Sequence, residues 1–236
     1  MTEWSTDGPV LQMDLDVVQD RLRNLRAALP GVTVLYAVKA NPAVEVVAAL
    51  AELAADFDVA SPGEIDLCLR LGIDPGRLSY GNTVKKERDV VQAVTAGVRR
   101  FTVDCTAELA KVLRALAGRP ALPADAAWIF VRVATDGAGA DWPLSKKFGC
   151  PPDEALALLT IAATAGLRVG LSFHVGSQQR SVDAWRSPSP SWPVSPAPSG
   201  PGGIGWPAST SAVGCPAPTW NRCRPSPPTV PRSAGR

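Results

Sequence analysis

Short apolar, β-branched runs alternate with amphipathic stretches from residue 10 to about residue 185. Runs at 33–37, 57–60, 78–80, 101–103, 129–133 and 169–173 read as strands buried on both faces. Between them, 44–55, 64–71, 87–96, 107–117 and 153–165 carry apolar residues three and four apart, the spacing of one helix face, and 16–29 reads as a further helix before the first strand. In the last of the series, Leu156, Leu159 and Ala163 stand at spacings of three and four, which place them on one helix face. A strand followed by a helix, repeated roughly every 25 residues, implies parallel strands joined by crossover helices. Six such strands suit either an open doubly wound sheet or most of a (β/α)8 barrel.

The pattern stops abruptly. From Arg186 to Arg236 there is no Asp, Glu, Lys, Leu, Phe or Tyr, and 13 of the 23 prolines lie there. Proline removes backbone donors and is excluded from helix interiors and central strands, so this stretch is expected to form neither and to be disordered. The division is therefore a barrel-type domain over 1–185 and an anomalous tail over 186–236. A shift of reading frame near Trp185 in a GC-rich gene would produce such a switch. A proline-rich ligand for a partner domain is the functional alternative, but no regular P-x-x-P array is present.

Composition narrows the class. Hydrophobic residues make up 46% of the 236, enough for a core, and the formal net charge is +2 without a basic cluster, which argues against nucleic acid as a partner. No apolar run reaches the roughly 18 residues of a membrane span, and the N-terminus lacks a secretory pattern. Five widely spaced cysteines, with no C-x-x-C pair, fit a reducing compartment and suggest no metal site. A cytoplasmic protein is expected.

The sharpest local feature is Tyr36-Ala37-Val38-Lys39-Ala40-Asn41-Pro42 at the end of the first predicted strand. A lysine at the end of a buried parallel strand is costly unless its amine has a partner or a task. Burial there favours the neutral amine, a usable nucleophile toward an aldehyde. The plain structural alternative is a lysine extending from the strand end into solvent. His174 is the only histidine and also falls at a predicted strand end, where barrel enzymes build their sites. Ser61-Pro62-Gly63-Glu64 has the form of a helix-capping box.

YAVKANP resembles the signature of the fold-type III pyridoxal-phosphate enzymes, the group of alanine racemase and the ornithine and diaminopimelate decarboxylases. Phe57-Asp58-Val59-Ala60-Ser61 with Glu64, Tyr80-Gly81-Asn82-Thr83-Val84-Lys85-Lys86, Lys146-Lys147-Phe148-Gly149 after Arg132 and Asp136, and His174-Val175-Gly176-Ser177-Gln178 are similar to successive segments of the decarboxylase branch. The likeness covers about residues 10–185 in order, and GNTVKK leans to the ornithine/lysine subgroup.

The resemblance implies an incomplete TIM-type barrel of about six of eight strands, with pyridoxal 5'-phosphate as cofactor and no metal. It implies that Lys39 carries the cofactor, His174 stacks on its ring, Ser177 and Arg132 serve its phosphate, and Asp58 and Glu64 line the pocket. Glu64 has capping as an equal alternative, and Asp58 and Arg132 an ion pair at the barrel mouth. Asn41 and Asn82 are further pocket polars. The expected reaction is decarboxylation of a small basic amino acid, ornithine to putrescine first among them, in a homodimer with shared sites. Diaminopimelate decarboxylation and racemisation are remoter alternatives. The family's late strand-eight carboxylate, Gly-rich phosphate loop and C-terminal-domain cysteine are not recognisable here. Two unpaired edges and an open apolar interior are therefore expected, with weak cofactor binding and little turnover, or a non-catalytic chain that associates with a full-length relative.

Overall fold

The computed structural model describes residues 11–118, 127–144, 146–185 and 210–212. Strands β1 (Leu35–Ala37), β2 (Asp56–Val59), β3 (Leu78–Tyr80), β4 (Arg100–Val103), β5 (Trp128–Val133), β7 (Arg168–Phe173) and β9 (Thr210–Ala212) form one sheet in that order, every pair parallel. The order never reverses. A doubly wound sheet turns back at a switch point, so this is the singly wound arrangement of a partial (β/α)8 barrel. A two-stranded antiparallel ribbon, β6 (Ala140–Trp142) with β8 (Ser177–Gln179), stands beside it.

The six predicted strands are all present, with β1 shorter by two residues. The helices are α1 (Leu15–Ala28), α2 (Val44–Glu52), α3 (Pro62–Arg70), α4 (Glu87–Ala96), α5 (Thr106–Ala117) and α6 (Pro152–Thr164). Three expectations need correction. Residues 210–212, within the segment expected to form no strand, pair with β7; Thr210-Ser211-Ala212 contains no proline, so its donors are free for an edge ladder. The remainder of that segment lies outside the described residues. In α6 the buried residues are Ala155, Leu158, Leu159 and Ala162, while Leu156 is 50% exposed. That helix is apolar nearly all round, so spacing alone could not choose its face.

The third correction concerns the sheet's two faces. Phe57, Val59, Leu78, Tyr80, Phe101, Val103, Ile129 and Val131 alternate along β2–β5 and join the helices in one core. The intervening residues, among them Asp58, Ser79, Thr102, Arg132 and Ser172, fall on the face the helices do not cover. The interior expected to be apolar is largely polar. At the sheet's N-terminal end the Asp56 carboxylate takes a 2.7 Å ion pair from Arg100 with Arg77 4.0 Å away, a structural pairing far from the strand ends that carry chemistry.

Local chemistry sets the element ends. Ser61 Oγ accepts from the Glu64 amide (3.3 Å) and Pro62 opens α3. Arg26 of α1 donates to the Leu53 and Ala54 carbonyls (2.6 and 2.8 Å), satisfying the end of α2 that sequence periodicity extended to residue 55. Ala54 has φ +53°, a left-handed turn that stops α2.

A buried ionic cluster ties β3, β4 and α5 together. Lys85, in the loop after β3, is 3% exposed and donates from Nζ to the carbonyls of Asn82 (2.7 Å) and Thr102 (2.6 Å). Glu108, equally enclosed, accepts the Lys85 amide (3.1 Å) and pairs with Lys111, with the Lys85 ammonium 3.8 Å away. Removing one member of a buried pair strands the other, at about 3–5 kcal/mol. Glu108→Ala is therefore expected to lower stability by about that amount, read as a drop in urea midpoint with the m-value unchanged.

Candidate active site

The site residues gather where the parallel strands end. Lys39 follows β1 in a single 3₁₀ turn, Val38–Ala40. Val38 is fully buried and anchors that turn, while Lys39 itself is exposed. Burial of the amine, expected from a strand-end lysine, is not met: Lys39 is exposed, yet its charge reaches Asp58 and His174. It makes no hydrogen bond to another described residue, which leaves the amine free.

Asp58, the third residue of β2, is 9% exposed on the polar face, in register with Ala37 and Ser79. Burial pushes its carboxyl up to about 6, with the Glu64 charge adding to the rise and Lys39, Arg132 and the Gly81 amide opposing it. Gly81 is required beside it: a Cβ at that position would overlap Asp58 Oδ1. Glu64 Oε2 accepts the Ala60 amide at 2.9 Å. The capping alternative for Glu64 is thus realised one residue off the usual box, at Ala60 rather than Ser61, while its charge still reaches Asp58.

Arg132 projects from β5 on the same face as Asp58. Its guanidinium lies 5.1 Å from the Phe148 ring centroid and finds no hydrogen-bond acceptor among the described residues. Burial pulls its pKa down against the fields of Asp104 and Asp58. No salt bridge joins Arg132 to Asp58 among the described residues, so the alternative of an ion pair is not realised and the two act on each other at longer range. Phe148 is held in place by its neighbours: the Gly149 amide donates to Asp104 Oδ2 (3.0 Å), and Cys150 exchanges backbone hydrogen bonds with Arg132 and Ala134 (3.0 and 2.9 Å).

His174 follows β7, half-buried. The Gly176 amide donates to its Nδ1 at 2.9 Å, which assigns the proton of the neutral ring to Nε2. Burial, then the positive fields of Arg132 and Lys39, pull its pKa down to about 4. Ser177 opens β8 opposite Trp142 and is half-buried. Lys39, Asp58, Arg132 and His174 therefore act on one another electrostatically, and Glu64 joins them through Asp58.

Asn41 and Asn82 have local backbone tasks instead. Asn41 Oδ1 accepts the Ala43 amide (3.0 Å) and Asn82 Nδ2 donates to the Val84 carbonyl (2.7 Å). Asp104, the residue just after β4, was missed by motif reading. Its position at a strand end is the signal that could have found it. Among the described residues there is no cluster of three or more metal-ligating side chains, and no helix long and apolar enough to cross a membrane.

A free amine, a neutral imidazole and a guanidinium without an acceptor among the described residues, at one end of the sheet, suit a flat anionic aldehyde. Comparison with known proteins agrees. Residues 15–188 match the family described as pyridoxal-dependent decarboxylase, pyridoxal binding domain. The lysine/ornithine decarboxylase of Selenomonas ruminantium is 41% identical over 178 residues, 75% of this chain and 43% of that protein. Solved structures that resemble it include the Vibrio vulnificus lysine/ornithine decarboxylase complexed with putrescine (35% identity, TM-score 0.58, covering 70% of this chain and 41% of that one). Another is the arginine decarboxylase of Paramecium bursaria Chlorella virus bound to agmatine (30% identity, TM-score 0.65, covering 72% and 45%). The chain belongs to the fold-type III family of pyridoxal-phosphate-dependent decarboxylases. It spans less than half the length of these relatives.

Asp58 and His174 bias stability in opposite directions with pH. The folded state holds the Asp58 proton up to about pH 6 against 3.8 unfolded, so stability from this group is lost as pH rises through that window. The folded His174 ring stays neutral down to about pH 4 against 6.5 unfolded, so stability from it is gained as pH rises through its window. Between about pH 4 and 6 the two slopes oppose. Asp58→Asn removes one, and stability should then climb with pH by up to about 1.4 kcal/mol per unit, while the unaltered chain stays flatter; urea unfolding across this range measures it.

Proposed function

We propose that this chain is the cofactor-holding part of a decarboxylase for a basic amino acid, ornithine or lysine, whose product would be putrescine or cadaverine. The observation that carries the reading is the meeting of Lys39, Asp58, Arg132 and His174 at the C-terminal edge of a singly wound parallel sheet. Lys39 would hold pyridoxal 5'-phosphate through its amine. Arg132 would offer guanidinium donors to the phosphate, and Ser177, which opens β8, would offer its hydroxyl. His174 presents a neutral ring face with its Nε2 proton retained across the physiological range. Asp58 is ionised at neutral pH and takes a proton on its carboxylate near pH 6. When bound, the cofactor supplies the electron sink for the pair released as the α-carboxylate departs as carbon dioxide.

Ornithine is favoured over diaminopimelate by the GNTVKK segment; lysine stands beside it because a relative 41% identical over 178 residues is named for both substrates. Three free thiols, Cys68, Cys105 and Cys150, support a reducing, cytoplasmic setting. A homodimer with shared sites remains part of the reading.

A second reading is favoured by the exposure of Lys39: the chain holds cofactor, or a longer relative, without turnover. Borohydride reduction after incubation with pyridoxal 5'-phosphate, followed by peptide mapping, addresses both. A pyridoxyl adduct concentrated on Lys39 and abolished in Lys39→Arg is expected, with slow but measurable carbon dioxide release from ornithine or lysine that the same substitution removes. Adducts spread evenly over surface lysines would sink the assignment of Lys39. Stoichiometric labelling with brisk turnover would overturn the expectation of low activity, and labelling without any turnover selects the second reading.

A further inference from the structure

Two side chains that take no part in the proposed cofactor contacts converge on the backbone that carries His174. Thr135 lies two residues beyond β5 and is 8% exposed; its Oγ1 donates to the His174 carbonyl at 2.7 Å. Gln179 ends β8 and is 1% exposed. Its Nε2 donates to the carbonyls of Val175 and Ala138, each at 2.9 Å, and its Oε1 accepts the Ser181 amide at 2.8 Å. Every strong hydrogen-bonding direction of that buried amide is used except one acceptor lone pair.

The consequence is geometric. Carbonyls 174 and 175 belong to the two successive peptide planes that flank Val175. Fixing both fixes the direction of the Gly176 N–H, which shares its plane with carbonyl 175. That N–H is the donor to His174 Nδ1. Gly176 itself sits at φ +97°, and a side chain there would run into Ala140 Cβ and the Trp142 carbonyl, so glycine is the residue that fits. Gln178 before Gln179 is also left-handed (φ +54°), which turns the chain where Gln179 enters the interior.

We propose that Thr135 and Gln179 are positioning residues for His174: by pinning two consecutive carbonyls they aim the Gly176 amide at Nδ1 and hold the ring as its Nε2–H tautomer. The inference deepens the proposed site, since an oriented neutral ring serves the reading above, but it concerns the ring alone. It extends the site's support to the β6–β8 ribbon, because Gln179 bridges the ribbon's Ala138 turn to the His174 segment.

His174 is the only histidine, so nitrogen-15 imidazole spectra of the chain without cofactor report one ring without assignment. The unaltered protein at neutral pH should show the Nε2–H tautomer dominant. Gln179→Leu and Thr135→Val should each shift the tautomer ratio by about fivefold to tenfold, the equivalent of one hydrogen bond, while Thr135→Ser, which keeps the hydroxyl, restores it. Should an apolar variant fail to fold, Gln179→Asn withdraws the amide by one methylene and serves in its place, with the same shift expected. A folded Gln179 variant that keeps the original ratio, or an unaltered protein already mixed in tautomer, overturns the proposal. Borohydride labelling of Lys39 in the same samples separates the two claims: absent labelling with an intact tautomer shift counts against the proposed function and leaves the positioning role standing.

Discussion

Everything in this chain depends on the parallel register that makes each strand the neighbour of the next. Parallel pairing with Ala37, Asp58, Ser79, Arg100 and Trp128 at one level brings alternate residues of successive strands onto common faces. One face must be covered by helices because Phe57, Tyr80, Phe101 and Ile129 have nowhere else to go. The other is then free to hold charge. A slip of one residue in β2 would send Asp58 among the helices and Phe57 to the polar face, which is why so strongly apolar a core fixes the position of a carboxylate.

The charges on the polar face are not paired off as surface charges are. At the N-terminal end Asp56 and Arg100 meet directly. At the C-terminal end Asp58, Arg132, Lys39 and His174 influence one another without a salt bridge among them: Asp58 lies against Gly81, Arg132 over Phe148, and His174 takes the Gly176 amide, while Lys39 stands exposed. A group with its own support and no counter-ion is available to a ligand; a group in a tight pair is not. The two ends of the same strands thus separate stability from chemistry.

Much of this was legible beforehand, for identifiable reasons. The strands were visible because each carries apolar, β-branched or aromatic residues between turn and helix signals, even though alternate positions face the polar side, and the residues at their C-terminal ends followed from the same positions. Glu64 was readable as a cap because capping is a local rule. The buried face of α6 was not, since Leu156 and Leu159 satisfy the spacing equally and only packing separates them. The exposure of Lys39 depends on what covers the sheet edge, which is tertiary. Thr135 and Gln179 gave no signal at all: each acts on a backbone carbonyl about four or more residues away, and a carbonyl has no letter in a sequence. The pairing of residues 210–212 with β7 lay in a segment whose average composition concealed a short run without proline.

The close approach of Gly81 to Asp58 has a consequence for how this site can change over generations. The two positions are epistatic. Any side chain at 81 collides with the carboxylate, so that position is closed while Asp58 stands. If Asp58 is first replaced by a smaller residue, position 81 opens, and a substitution accepted there then bars the return of aspartate. A lineage that loses this carboxylate therefore passes through a ratchet, and an alanine or larger residue at position 81 in a related chain would record that the buried acid was given up.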